Sequence, residues 1–145
     1  MIALIQRVSW AKVEVDHQLI GQIKQGLLVL VGMQKTDQQD QADKLLHKLL
    51  NYRVFSDSDD KMNLSVTDIQ GALLLVPQFT LAADTNKGMR PSFSSAKAPL
   101  EAEQLFSYLL TQAHTQYSRI QSGRFGADMQ VTLLNDGPVT FSLNI

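Results

Sequence analysis

The sequence predicts one strand-rich α/β domain carrying two main helices, and three observations lead to that class. Gly26–Gly32 and Ala72–Val76 are continuous apolar runs of strand length, the pattern of strands buried on both faces. Met129–Leu134 and Val139–Ile145 instead alternate apolar and polar residues, as half-buried strands do. Helical spacing occurs in only two stretches. At 145 residues and 44% hydrophobic content, the chain suits a single domain over residues 1–145 with a sizeable core.

In chain order, Ile2–Val8 and Val13–Asp16 read as strands separated by a bend around Ser9 to Lys12, and Ile20–Ile23 continues the meander. Gly26–Gly32 is the anchoring central strand. Thr36, with Gln39 three residues on, resembles a capping box, and Ala42, Leu45, Leu46, Leu49 and Leu50 then recur at helical spacing, so the first helix is expected from about Asp37 to Asn51. Arg53–Phe55 reads as a short strand before the acidic turn Asp57–Asp60. That turn fails as a calcium loop, because Met62 sits where the sixth-position glycine belongs and Asp68 replaces the closing glutamate. Ala72–Val76 runs into Pro77–Leu81, where polar residues end a buried strand. Asp84–Ser95 has no period and reads as an ordered loop. Pro99 opens the second helix, with Leu105, Phe106, Leu109, Leu110 and Ala113 on one face, ending near Tyr117. A glycine-punctuated link, Gly123–Asp128, leads into a C-terminal hairpin.

The hairpin's tip, Asn135-Asp136-Gly137-Pro138-Val139-Thr140, is unusual. Asp-Gly is a turn signal, but a proline directly after it removes a backbone donor. Two readings stand at this level: a plain hairpin turn, or a rigid tip that presents two backbone carbonyls without side chains.

Charge and residue types narrow the chemistry. Thirteen basic against 14 acidic residues give a net charge of −1, so any nucleic-acid contact is local rather than a basic face. There is no cysteine, which removes disulfides, thiolate nucleophiles and cysteine-based zinc sites, and fits a reducing cytoplasm. Gly26–Met33, the longest apolar run, is too short to cross a bilayer, and no signal-peptide pattern opens the chain. His17, His47 and His114 show neither metal-ligand spacing nor a neighbouring nucleophile, so no metal or cofactor is called for. Thr80 is the one candidate nucleophile, and nothing beside it in sequence would take its proton.

Pro77-Gln78-Phe79-Thr80-Leu81 and Asn135-Asp136-Gly137-Pro138-Val139-Thr140 resemble, as a pair, the two signature motifs of D-aminoacyl-tRNA deacylases, enzymes that check chirality in translation. Met1–Val8, Phe55–Leu64, Gly88–Phe93 and Gly123–Met129 are similar to the same family in matching order, so the resemblance covers essentially the whole chain. It implies a homodimer of three layers (sheet, sheet and helix) with mixed and antiparallel strands and active sites at the subunit interface. It also implies a cis Gly137-Pro138 peptide reaching into the partner's site, where a fixed carbonyl rejects L-aminoacyl groups and leaves D-aminoacyl and glycyl groups free. Arg7 would brace that motif through its several donors, where the residue alone reads as an exposed strand-end charge. Gln78, Phe79 and Thr80 would offer N–H groups to the ester carbonyl, with the tRNA 2′-hydroxyl assisting water. A Thr80 nucleophile ranks second. Phe125 and Met129 would pack around the terminal adenosine, or else serve the core.

One residue departs from the family pattern: Pro77 stands where a serine is usual, so a hydroxyl and an N–H are missing at the entrance to the motif. The partners the resemblance implies are D-aminoacyl-tRNA and glycyl-tRNA at the 3′ end and a second copy of the chain, with no membrane and no DNA. Two other classes remain open: a non-catalytic RNA-binding dimer, and a small-molecule esterase using the same pocket.

Overall fold

A computed structural model of the chain describes residues 1–86 and 88–145; Lys87, in the loop expected over Asp84–Ser95, lies outside the described residues. The elements run β1 (Ile2–Val15), β2 (Gln18–Ile23), β3 (Gly26–Gly32), α1 (Gln39–Asn51), β4 (Phe55–Ser56), β5 (Met62–Leu64), β6 (Ala72–Pro77), a 3₁₀ turn (Phe79–Ala82), α2 (Pro99–Gln116), β7 (Ile120–Ser122) and β8 (Gln130–Asn144). β1 pairs antiparallel with β2, β3 and β8, while β3–β6 and β6–β7 are parallel. The sheet is thus mixed. β2 leans back over β7 so closely that a Cβ on Gly21 would stand 2.9 Å from the Ser122 carbonyl oxygen, and the sheet curls nearly closed.

The two apolar runs are central because each faces two cores. Leu27, Val29 and Val31 of β3 and Leu73 and Leu75 of β6 point toward the helices, where Leu45, Leu46, Leu49, Phe106 and Leu109 meet them. Leu28, Leu74 and Val76 point the other way, into the curl, against Val8, Ala11, Val13 and Ile23. Period-two alternation alone produces this division, and each of these fully buried side chains contributes about 1.5–3 kcal/mol through burial. The mixed α/β domain expected from the sequence is found, its layers formed by a nearly closed sheet with both helices packed on it.

Several local expectations are corrected. Residues 2–15 form one strand, and the expected bend is a bulge: Val8 pairs with Asn135 and Trp10 with Leu134, leaving Ser9 extra. The bulge reverses the strand's faces, so Ala3 and Ile5 face the helices while Ala11 and Val13 face the curl. The C-terminal hairpin is absent, since residues 130–144 run as a single strand along β1 from Glu14 to Ile2. The first helix is capped by Gln38, whose N–H donates to Gln41 Oε1 at 2.8 Å, rather than by Thr36 and Gln39. Asp37 is occupied elsewhere: its buried carboxylate accepts from the Met1 ammonium and from the Gln34 N–H, each at 2.6 Å. The short strands β5 and β7 were not foreseen. In the acidic turn, Asp57 accepts the N–H groups of Asp59 and Lys61 and the side chain of Asn63, and these bonds hold its carboxyl below the usual range.

Candidate active site

The first signature segment sits where β6 ends. Along β6 the Leu73 N–H donates to Arg119 O on the β7 side, whereas Gln78, five residues on, donates to Val31 O of β3 at 2.8 Å. Residue 77 therefore has its nitrogen on the β7 side, where β7 has already stopped at Ser122. Pro77 loses no ladder bond there, which is where a strand accepts proline. Its ring lies toward Gly123, whose added Cβ would be 3.5 Å from Pro77 Cδ.

After Gln78 the backbone tightens into the 3₁₀ turn, which presses on the end of β3. Gly32 makes this possible, since a Cβ there would stand 2.8 Å from Leu81 Cβ and 3.1 Å from Gln78 O. The other end of the turn is held by the Ser95 hydroxyl, which donates to Ala82 O. The Gln78 N–H is spent in the sheet, which corrects its expected role as a carbonyl donor. The N–H groups of Phe79 and Thr80 have no acceptor among the described residues. Thr80 Oγ1 accepts from Gln78 Nε2 at 2.6 Å, so the neighbour of this hydroxyl is a donor and not a base.

Two clefts meet at this turn and share Pro77, Phe79 and Gly126 as walls. One, of about 270 Å³, is completed by Gln78, Asp128, Met129 and Val131. The other, of about 240 Å³ and mostly apolar, is completed by Lys97, Pro99, Ala102 and Phe125. Phe79 is 58% exposed and leans on Phe93 with ring centroids 5.1 Å apart. Phe125 and Met129 each pack on the core and also line a cleft. Phe125 packs 6.4 Å from Phe106 while lining the apolar cleft, and Met129 packs on the inner core while lining its neighbour. The structure puts these two residues in adjoining clefts rather than in one.

The second signature segment interrupts the β8 ladder. Gln6 pairs with Thr140 and Val8 with Asn135, so Asp136, Gly137, Pro138 and Val139 all stand opposite Arg7 alone. The Gly137-Pro138 peptide is cis, and Gly137 has φ +123°, a conformation that glycine alone adopts without penalty. Arg7 is no exposed strand-end charge. Its side chain is 13% exposed and donates through Nη1 to Val54 O at 2.8 Å and through Nε to Asp136 O at 3.3 Å, with the Asp136 carboxylate 3.1 Å away.

Gly137 stands opposite Arg7, which pairs with Leu27, whereas the 3₁₀ turn presses on Gly32, five residues further along β3 and about 17 Å away at strand rise. The two motifs therefore belong to separate places on one chain. Sequence reasoning gave Phe93, Pro99, Ala102 and Asn135 no individual role in a site, and they reach these sites through tertiary packing. Asn135 carried a local signal of its own, as an asparagine flanking a tight link.

Unbonded N–H groups beside a cleft are what an acyl hydrolase offers to a carbonyl oxygen. The family model for D-Tyr-tRNA(Tyr) deacylase matches residues 4–144. The chain belongs to that family and is a hydrolase of it. It is 64% identical over 145 residues to the D-aminoacyl-tRNA deacylase of Pseudomonas putida, and 59% identical over 145 residues to that of Pseudoalteromonas translucida, covering all of both chains in each case. Among solved structures it is similar to a c-Myc DNA Unwinding Element Binding Protein, with a TM-score of 0.95 and 40% identity over 100% of this chain and 99% of that one. It shares its fold with a probable eukaryotic D-amino acid tRNA deacylase, at a TM-score of 0.88 and 14% identity over 99% of this chain and 98% of that one.

Proposed function

We propose that the chain removes D-amino acids, and glycine, from the 3′ end of tRNA in the cytoplasm, working as a homodimer. The observation that carries this reading is the N–H pair of Phe79 and Thr80, without an acceptor among the described residues, at the cleft of a family member. Water attacks the ester carbonyl, the oxygen that becomes negative is held by those two N–H groups, and the bond from the acyl carbon to the ribose 3′-oxygen breaks with a proton passing to that oxygen. The ribose 2′-hydroxyl next to the ester assists the water. A donor beside Thr80 Oγ1 favours this over a threonine nucleophile, which would need an acceptor there. The apolar cleft of Pro99, Ala102 and Phe125 suits the unpaired terminal adenine.

The motifs stand about 17 Å apart along β3, well beyond the length of an aminoacyl group, so Gly137 and Pro138 are expected to act in the site of a second copy. The outer edge of β8 supports that arrangement. It has no strand partner among the described residues, and Leu134 and Phe141 on β8 and Trp10 on β1 opposite Leu134 are 52%, 38% and 37% exposed. A loop that works by occupying space rejects an L side chain and ignores both a D side chain and glycine's missing one.

Release of amino acid from matched D-tyrosyl-, L-tyrosyl- and glycyl-tRNA, with wild type and Thr80→Ala in EDTA, tests the proposal. D-selective turnover that survives in Thr80→Ala within about tenfold supports the 2′-hydroxyl route. Loss of several orders of magnitude in that variant would favour the threonine nucleophile, and no turnover by wild type would leave the non-catalytic RNA-binding reading.

A further inference from the structure

Asn135 closes the neck of the Asp136–Val139 loop. Its side-chain amide donates to two carbonyl oxygens at once, Arg7 O on β1 and Val139 O on the far side of the loop, each at 3.2 Å. The insertion of four residues opposite one displaces the ladder bonds that would otherwise tie β8 to β1 at this point. Both hydrogens of the Asn135 amide take over that task, and only a planar NH₂ group on a short stem offers two donors in this geometry. The Arg7 side chain holds the opposite end by gripping Asp136 through its carbonyl and its carboxylate. The loop therefore rests on one grip at Asp136 and one at Val139, with Gly137 and Pro138 between them and exposed.

We propose that Asn135 is a positioning residue for chirality selection: by fixing the neck of the loop, it determines how firmly Gly137 and Pro138 exclude an L-aminoacyl group. The inference rests on the reading that this loop rejects L substrates. Exclusion is only as strong as the excluding group is unyielding, because a loop that gives way admits the competitor at the cost of its own displacement. Nothing in this role touches the ester carbonyl, so loosening the neck acts on acceptance of the L substrate.

Two variants separate this role from a merely structural one. Asn135→Asp keeps the shape but turns an oxygen toward two carbonyl oxygens, and Asn135→Ala removes the bridge without that repulsion. The ratio of single-turnover rates on D- and L-tyrosyl-tRNA is expected to fall about tenfold or more in both, mainly through a gain on the L substrate, which is the scale of one or two lost hydrogen bonds. Amide hydrogen exchange across 136–139 is expected to quicken in the same variants while exchange in β3 and β6 keeps its wild-type rates. Folded variants that retain the wild-type ratio, or that lose D and L turnover alike, overturn the role of Asn135 and leave the reading of the loop standing. Wild type that fails to distinguish D from L overturns both. Should Asn135→Asp not fold, the ratio and the exchange rates of Asn135→Ala decide.

Discussion

Gly32→Ala is the perturbation that most directly joins the fold to the chemistry. The new methyl would lie 2.8 Å from Leu81 Cβ and 3.1 Å from Gln78 O, where about 3.4 Å is ordinary contact. Neither neighbour can rotate away. Leu81 Cβ is fixed to the backbone, and Gln78 O is held by the Leu81 N–H at 3.2 Å. Relief therefore requires the whole 3₁₀ turn to slide by roughly 0.6 Å, taking the Phe79 and Thr80 N–H groups with it. Overpacking of this kind costs about 1–3 kcal/mol. Because a 1 Å misplacement of reacting groups costs about a hundredfold, a shift of this size predicts a loss of about tenfold in single-turnover hydrolysis of D-tyrosyl-tRNA. Leu109→Ala is the matched control: it empties a fully buried site in the helical core, costs about 2–5 kcal/mol and leaves the turn in place. Urea titration fixes the stability of both variants, and the rates are compared at a temperature where both are folded. A Gly32→Ala enzyme that is destabilised yet hydrolyses at the wild-type rate would refute the placement of the chemistry at Phe79 and Thr80.

Asp37→Ala leaves the Met1 ammonium buried without its carboxylate, and urea titration should show a loss of about 3–5 kcal/mol, well beyond that of Lys44→Ala, whose partner Asp40 is exposed. Asp68 accepts from both the N–H and the hydroxyl of Ser65, and these bonds hold its carboxyl below the usual range. A depressed carboxyl stabilises the fold above the unfolded pKa and loses that contribution as pH falls through the folded one. Acid unfolding below about pH 4 should therefore be less steep in Asp68→Asn, followed by circular dichroism. Phe125→Ala should raise KM for D-tyrosyl-tRNA more than it lowers kcat, by about tenfold for a lost stacking surface, and the same change should leave hydrolysis of a short D-tyrosyl ester less affected.

Most of the fold was legible because its signals are periodic. Gly26–Gly32 and Ala72–Val76 announced burial on both faces by having no polar face at all, and the leucines of α1 and α2 repeated at helical spacing. The failures have specific causes. Thr36 and Gln39 satisfy the capping pattern two residues before Gln38 and Gln41, and local spacing does not register that Asp37 is needed by an ammonium 36 residues distant. β5 and β7 are three residues each, too short to show a period, and exist because a neighbouring strand supplies the partner.

The candidate site shows the same boundary between local and distant causes. Pro77-Gln78-Phe79-Thr80-Leu81 could be marked as special from its own residues, yet the Gln78 N–H was expected to face substrate and instead bonds Val31 O across the sheet. Asp136-Gly137 is a hairpin signal by sequence, because Asp-Gly usually reverses a chain. Here it does not, since β1 is long enough to pair with the residues on both sides of it, from Glu14↔Gln130 to Ile2↔Asn144, and a strand held at both ends can only bulge. The partner strand, some 130 residues earlier in the chain, turns a hairpin signal into a protruding loop. The same partner provides the groups that hold it, because Arg7 both grips Asp136 and offers its carbonyl to Asn135. Val8, fully buried, pairs with Asn135 between the 136–139 loop and the Ser9 bulge. Asp-Gly-Pro becomes a projecting loop here because a long strand pairs with the residues on both sides of it, and that condition is written at the opposite end of the chain.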